Sequence, residues 1–150
     1  MRENLLKTRE VVRMYSVPVG DLRVRELITW YTRTLQRAVD IIWENIAWEY
    51  RFPELSMRRG RVRVELGYKV KVPRVPADRK FKKMLRDALL AECPYAKHWV
   101  DAVIRTAYSI IESWRKRYLK GRARKVKPRI KRRFARCKIT LMKVDYGGKR

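Results

Sequence analysis

The feature that most constrains this chain is a basic run near its carboxyl end. From Arg115 to Lys138, 14 of 24 residues are Lys or Arg and none is acidic. Residues 113–150 hold 17 basic residues and a single acidic one, Asp145, whereas residues 1–112 hold 23 basic and 14 acidic residues. A block of like charges repels itself and is normally solvated. The pattern therefore predicts a moderately charged body followed by a strongly basic stretch.

The rest of the composition supports a folded protein. The chain has 150 residues and a formal net charge of +25, yet 46% of its residues are hydrophobic and 11% are aromatic. A disordered basic tail would be poor in aromatic residues, so this class is disfavoured. A folded domain with so large an excess of positive charge is typical of proteins that bind a polyanion, most simply a nucleic acid.

Several other classes are disfavoured by missing patterns. Cys93 and Cys137 lie far apart and form no C-x-x-C pair, so neither a disulfide scaffold nor a zinc knuckle is supported. No apolar run approaches the roughly 18 residues that span a bilayer. No secretory signal pattern is visible at residues 1–10, so we expect a cytoplasmic protein and no membrane partner. Amide side chains are scarce, which weakly indicates a thermophilic source.

The first half of the chain predicts a strand and a long helix. Residues 11–17 are rich in β-branched side chains and are stopped by Pro18, so we expect a strand. Asp21 is placed to cap a helix that ends near Tyr50, before Pro53. Its apolar residues recur every three or four positions, as on one helix face. They are Leu27, Tyr31, Leu35, Ala38, Ile42 and Ile46.

The middle of the chain predicts β-structure and two further helices. Residues 60–72 alternate between apolar and charged side chains, which predicts a strand, or a hairpin broken at Gly67. Asp78 is placed to cap a second helix, and Pro94 to begin a third that Gly121 ends. The expected inward residues are Phe81, Met84, Leu85, Ala88 and Leu89, then Val100, Val103, Ala107, Ile110 and Trp114.

The last residues predict a strand and a hairpin turn without a second strand. Residues 138–146 favour a strand, and Gly147-Gly148 is typical of a hairpin turn, yet only Lys149 and Arg150 follow. We expect a chain that stops inside a domain; the alternative is a frayed terminus.

The basic run is the strongest functional signal. Each Lys or Arg that neutralises a phosphate releases counterions, and Arg, which outnumbers Lys here, also binds phosphates in bidentate fashion. Tyr118 and Phe134 are interleaved as a base-stacking surface requires. The alternative is a solvated face or a flexible localisation tail. The expected nucleic-acid-binding residues are Arg115, Lys116, Arg117, Tyr118, Lys120, Arg122, Arg124, Lys125, Lys127, Arg129, Lys131, Arg132, Arg133, Phe134, Arg136 and Lys138.

Catalytic and metal-binding patterns are not found. Asp40 and Glu44 lie one helical turn apart, but Arg37 explains them better as part of a surface ion pair than as metal ligands. His98, the only histidine, stands beside Trp99 in a helix. Trp30, Trp43 and Trp48 are better explained as core residues than as stacking platforms. We therefore expect no catalytic residue, no metal, no cofactor and no small-molecule substrate.

Two segments, PYAKHWVDAVIRTAYSIIESWRKRYLKG (94–121) and KPRIKRRFARCKITLMKVDY (127–146), carry a family pattern. With the helix containing WYTRTLQRAVDIIWENI, they resemble the N-terminal part of archaeal OrfB/TnpB-type insertion-sequence proteins, labelled transposases. The resemblance runs from about Val11 to Tyr146. Helix, glycine stop, basic K-P-R linker and returning strand follow one another in the family's order.

The resemblance implies an α+β, mainly helical fold, in which a helical recognition lobe is inserted into an incomplete wedge-like β-barrel. Residues 11–17 would form the first barrel strand, 21–121 the lobe, 122–137 a basic linker and 138–150 the returning strand. Family members are RNA-guided DNA nucleases, so guide RNA and target DNA would be the partners. Their RuvC-like catalytic carboxylates and zinc-binding cysteines have no counterpart here, which predicts a non-catalytic, nucleic-acid-binding N-terminal fragment.

Two other functions remain open. A sequence-specific DNA-binding regulator of a mobile element or virus would require a compact helix-turn-helix, whose short helix pair is not evident. A standalone nuclease would require several convergent carboxylates, and no such set is apparent.

Overall fold

The computed structural model of the chain describes residues 18, 20–51, 54–56, 63–65 and 70–137. Three helices and four short strands follow one another in these ranges. They are α1 (Leu22–Glu44), β1 (Ala47–Arg51), β2 (Glu54–Ser56), β3 (Arg63–Glu65), β4 (Val70–Arg74), α2 (Arg79–Leu90) and α3 (Lys97–Leu119). The expected α+β, mainly helical class is confirmed. The strands expected at 11–17 and 138–146, and the turn at 147–148, lie outside the described residues.

Helix α1 begins and packs as its sequence predicts. The Asp21 carboxylate accepts a hydrogen bond from the Arg23 backbone N–H at 2.8 Å, which satisfies one of the free amides of the first turn. The residues of the predicted apolar face that are buried are Tyr31, Leu35, Ala38, Ile42 and Ile46. Burial of this face ties α1 to the other helices.

The predicted end of α1 near Tyr50 is wrong. The helix stops at Glu44, where the Asn45 backbone N–H bonds back to Ile42 and Trp43. The residues that follow form β1 instead. On that strand the Trp48 ring packs against the Trp43 ring with centroids 6.1 Å apart, a contact that stabilises the strand conformation here.

The alternating segment forms two strands, β3 and β4, which pair with earlier strands and not with each other. β4 pairs antiparallel with β1, from Ala47 opposite Arg74 to Arg51 opposite Val70. β3 pairs antiparallel with β2. The described parts of this segment, 63–65 and 70–74, thus form strands, and Gly67 itself lies outside the described residues. A two-residue period identifies a strand without specifying which segment it pairs with.

Helix α2 buries less of its predicted face than expected. Leu85 and Leu89 are buried, whereas Met84 is 49% exposed. Asp78 occupies the N-cap position, but its side chain makes no capping hydrogen bond. The predicted position of the cap is confirmed, while its side chain does not satisfy the free amides there.

Helix α3 begins later than predicted and ends where predicted. It starts at Lys97 rather than Pro94. Pro94 instead belongs to a connection in which the Tyr95 ring packs edge-on against Trp30 at 5.1 Å. At the other end, Gly121 has φ +71°, and its N–H donates to the Tyr118 carbonyl at 2.9 Å. The Arg122 N–H donates to the Arg117 carbonyl at 2.8 Å, which completes a Schellman motif.

The long helices α1 and α3 run in the same direction, and α2 runs against them. Tyr31 contacts Thr106 near the middle of both long helices, and Trp43 meets Trp114 near their carboxyl ends. By contrast, Arg86 of α2 pairs with Asp101, while the earlier Lys82 lies over the ring of Tyr108. We call these three helices the bundle. Its core also contains Val39, Val100, Val103, Ala107, Ile111 and Trp114.

One polar contact lies inside this core. The Tyr31 hydroxyl and Thr106 Oγ1 are 2.8 Å apart, and Thr106 Oγ1 donates to the Ala102 carbonyl at 2.9 Å. The Tyr31 hydroxyl also lies 3.4 Å from the same Ala102 carbonyl, so the three groups form one hydrogen-bonded cluster. Burial raises the pKa of Tyr31, so the hydroxyl stays protonated.

Candidate nucleic-acid interface

The basic run leaves α3 at the Gly121 turn and then lies along α1. Residues 120–137, which we call the basic strap, form neither helix nor strand. Its successive contacts move down α1 as its own numbers rise, from Asp40 through Gln36 to Thr32. The strap therefore runs antiparallel to α1. Residues four apart lie on nearly the same side of a helix, so these three side chains form one polar row beside the apolar face.

Gln36 occupies the centre of this polar row and uses both ends of its amide. Its Oε1 accepts a hydrogen bond from the Ile130 backbone N–H at 2.8 Å. Its Nε2 donates to Asp40 Oδ1 at 2.9 Å and makes a longer contact of 3.5 Å with the Pro128 carbonyl oxygen. One half-buried side chain thus binds the strap backbone at two points and orients Asp40.

The two ends of the polar row hold the strap in different ways. Thr32 Oγ1 gives its proton to the Ile28 carbonyl at 2.8 Å and is then free to accept from the Phe134 N–H at 3.3 Å. Asp40 Oδ1 receives the Lys127 ammonium at 3.0 Å. Both charged groups are 35% exposed, so water screens this ion pair less than it would on the open surface.

Four apolar side chains of the strap point toward the bundle, whereas Val126 is exposed. Ala123, Ile130, Phe134 and Ala135 pack on the core. The Phe134 ring lies 6.1 Å from the ring of Tyr31. At the start of the strap, the Trp114 indole N–H donates to the Arg124 carbonyl at 3.0 Å. The strap is therefore a packed layer with one face on the bundle.

Most of the basic side chains face solvent. Eleven of the sixteen predicted binding residues are exposed: Lys116, Arg117, Lys120, Arg122, Arg124, Lys125, Arg129, Lys131, Arg132, Arg133 and Arg136. Two of them also contact rings, since Lys125 Nζ lies 4.3 Å from the Trp48 ring centroid and the Arg136 guanidinium lies 5.7 Å from that of Phe134. The strap thus presents a row of cations to solvent, while its backbone is bound to α1 on the opposite side.

The remaining predicted binding residues have other surroundings. Lys127 is paired with Asp40, as described. Arg115 binds Glu112 at 2.8 Å, and this bond holds the pKa of the Glu112 carboxyl below its ordinary value. The pair lines a cleft of about 470 Å³ between α3 and the strands. Lys138 lies outside the described residues.

The two aromatic residues chosen for base stacking are both half-buried in the structure. Tyr118 stacks on Trp114 at 5.2 Å with an interplanar angle of 28°, and its hydroxyl donates to the Lys71 carbonyl at 3.1 Å. Phe134 packs on Tyr31. Trp43 and Trp48 are half-buried and pack edge-on against each other and against Trp114, so the two rings flank the core rather than lying inside it.

The sequence interpretation missed the polar row on α1. Its signal is the recurrence of Thr32, Gln36 and Asp40 every four residues next to the buried face, with Gln36 the only glutamine of the chain. Asp40 is engaged with Gln36 and Lys127, and Arg37 pairs with Glu92 rather than with Asp40. Within the described ranges, no group of three or more His, Cys, Asp or Glu residues lies close enough together to hold a metal ion.

A search of the described helices for an apolar stretch long enough to cross a membrane finds none.

The arrangement defines a class: a mainly helical α+β domain that carries a packed polycationic segment on its surface. The model of the family described as "Uncharacterized protein MJ0013 family" matches residues 27–149, and the chain belongs to this family.

Two relatives come from Methanocaldococcus jannaschii. The chain is 39% identical over 145 residues to "Uncharacterized protein MJ0013", a match that covers 96% of this chain and 88% of that protein. It is 36% identical over 111 residues to "TnpB-like protein MJ1635", which covers 74% of this chain and 22% of that protein. The resemblance to TnpB-type proteins is thus confirmed as homology to a TnpB-like protein. No solved structure matches the chain.

Proposed function

We propose that this chain is a non-catalytic, nucleic-acid-binding module related to the N-terminal part of TnpB-type transposon proteins. In this proposal the strap holds the phosphate backbone of a structured RNA, such as a guide RNA, or of an RNA–DNA duplex. The single observation that carries the proposal is the row of exposed strap cations on a backbone packed against α1.

Homology supports the transposon-related part of the proposal. The TnpB-like relative matches 111 residues of this chain, although these make up only 22% of that relative's length. Most of that relative's length therefore lies outside the match.

The contacts of the strap favour a duplex over a single strand. Single-strand binding relies on aromatic faces that stack on bases. Tyr118 and Phe134 direct their rings toward other aromatic side chains of the bundle, which leaves charged groups as the main feature of the exposed surface. Cations held in a fixed array suit the regular phosphate spacing of a helix, and A-form RNA is recognised largely by shape and backbone.

Salt-dependent binding to a duplex tests this proposal. We would measure fluorescence anisotropy with an RNA duplex of about 16 base pairs, the length that a double-stranded-RNA-binding domain spans, and with its single strand. Arg129→Ala/Arg132→Ala/Arg133→Ala should weaken duplex binding and lower the slope of log K against log salt by about 2 to 3, since each lost phosphate contact lowers it by about 1.

A charge-matched control is available on α2. Arg79, Lys80 and Lys83 are exposed and lie outside the strap. Arg79→Ala/Lys80→Ala/Lys83→Ala removes the same net charge and should leave the slope nearly unchanged. Equal slopes for the two triple variants would show that only total charge matters and would contradict the proposal. Tight binding to one short DNA sequence alone would favour the DNA-binding regulator.

A nuclease assay tests the non-catalytic part. The purified chain should leave labelled RNA and DNA intact in the presence of Mg²⁺. Cleavage that disappears in Asp40→Asn but persists in a control such as Asp87→Asn would overturn this part of the proposal.

A further inference from the structure

Gln36 binds the strap but has no charge and no free polar group with which to bind a nucleic acid directly. It carries no charge, it is half-buried, and its amide oxygen and nitrogen are both engaged within the molecule. Its partners are the backbone atoms of Ile130 and Pro128, which lie on either side of the exposed Arg129. The position of Arg129 relative to α1 is therefore fixed by a residue from a distant part of the chain.

We propose that Gln36 is a positioning residue that sets the register of the strap on α1. This inference rests on the proposed function and deepens it. The Ile130 bond fixes one point of the strap, and the Gln36 amide also holds Asp40 where it meets Lys127. Loss of the amide releases two neighbouring attachments together, because Asp40 loses the donor that orients it.

Register matters because phosphates occur at fixed intervals along a duplex. A strap held in place presents its cations together, whereas a loose strap must be ordered as it binds, which costs conformational entropy. The consequence is a smaller number of simultaneous phosphate contacts and hence a shallower salt dependence. The apolar anchors Ile130 and Phe134 add packing against the bundle.

Gln36→Met tests the inference, because methionine has a similar length and is a good helix former but cannot form these hydrogen bonds. The first readout is amide hydrogen exchange without any nucleic acid. Loss of the Gln36 acceptor should speed exchange of the Ile130 N–H by about tenfold, the upper range of one hydrogen bond's net contribution. Amides of the bundle core should exchange as before.

The second readout is binding to the RNA duplex used above. Gln36→Met should weaken affinity by about tenfold and lower the salt slope by about 1 to 2, although no charge has been removed. A loss of folded protein would reduce the amount of complex without changing the slope, so the slope separates positioning from stability. Thr29→Val is the control, because within the described part of the chain Thr29 Oγ1 bonds only the Arg25 carbonyl of its own helix.

Thr32→Val is a second variant should Gln36→Met fold poorly. It removes the acceptor for the Phe134 N–H while keeping the shape of the side chain. It should speed exchange of that amide and lower the salt slope by less than Gln36→Met does, because the lost bond is longer.

The outcomes separate the two proposals. Faster exchange at Ile130 together with a shallower salt dependence supports the positioning role. Faster exchange with unchanged affinity and slope, or unchanged exchange, overturns that role and leaves the proposed function standing. Failure of the unmodified chain to bind the duplex at low salt overturns both.

Discussion

Two layers cover α1, and they are held by different kinds of contact. The bundle packs on its apolar face through residues such as Leu35 and Ile42, which are fully buried. The strap packs beside that face through side-chain bonds from Gln36 and Thr32 to its backbone, with a few apolar anchors. A segment whose side chains must stay charged and solvated cannot form an apolar core of its own. Its conformation is therefore encoded largely in another element, α1.

The largest effect is expected at Trp114, which belongs to both layers. Trp114→Ala removes a 3% exposed ring that contacts Trp43 and also removes the donor to the Arg124 carbonyl. It should lower the free energy of unfolding by about 3–5 kcal/mol, as measured by urea denaturation. Trp114→Phe keeps a ring and should lose less. A loss below about 1 kcal/mol for Trp114→Ala would contradict the view that Trp114 stabilises both layers.

A pair of truncations compares the layers directly. Leu35→Ala lies in the bundle and should lower the free energy of unfolding by about 2–5 kcal/mol. Ile130→Ala lies in the strap, where its side chain is only half-buried, so a smaller loss of about 1 kcal/mol is expected. Urea denaturation checks both values. Equal losses of unfolding free energy for the two variants would show that the strap contributes to stability as much as the bundle core does.

The turn that connects the layers provides a smaller effect. Gly121 has φ +71°, and a Cβ added there would meet open space, so Gly121→Ala creates backbone strain without a clash. The free energy of unfolding should fall by about 1 kcal/mol, as measured by urea denaturation. Gly20 also has open space but no such φ, so Gly20→Ala is the matched control and should be near neutral. Equal effects would remove the conformational argument.

The last predicted effect arises at Tyr108 of α3 and appears only at alkaline pH. Burial raises the pKa of Tyr108 to about 12, and the Asp78 charge adds to the shift. Because the folded chain holds this proton more tightly, its contribution to stability is complete below about pH 10 and is lost as the pH rises toward about 12. Burial also raises the pKa of Tyr31, which adds a loss of the same sign.

Tyr108→Phe isolates this contribution. The variant loses the hydrogen bond to the Pro76 carbonyl, so it begins less stable. Its urea midpoint should then fall less steeply than that of the unmodified chain from about pH 10 to about pH 12. Parallel pH profiles would show that Tyr108 carries none of the dependence.

The sequence predicts the bundle better than its connections. The three-or-four-residue spacing from Tyr31 to Ile46 correctly identifies the buried face, and Gly121 correctly marks the end of α3. The predicted end of α1 is wrong because IAWEY is compatible with either helix or strand, and pairing with distant β4 decides between them. The alternation of residues 70–74 likewise does not identify β1 as their partner, since strand pairing is long-range and periodicity is local.

The candidate interface shows the same limit. The excess of positive charge from Arg115 to Lys138 is evident from composition. Composition does not show which of these residues face solvent, because their exposure depends on bonds to Gln36 and Asp40, which are distant in the chain. Aromatic residues within a basic run generally serve for stacking, which is why Tyr118 and Phe134 are expected to be available for it. Their packing against Trp114 and Tyr31 follows from tertiary contacts alone.

The parallel course of α1 and α3 has an electrostatic consequence for the strap. Peptide dipoles give each helix a partly negative carboxyl end and a partly positive amino end, and parallel helices add these fields instead of cancelling them. The strap starts at the shared negative end and runs toward the amino end of α1. The first cations of the strap, such as Lys120, therefore lie where the helix ends favour positive charge, whereas the later ones lie beside the middle of α1, opposite Thr32.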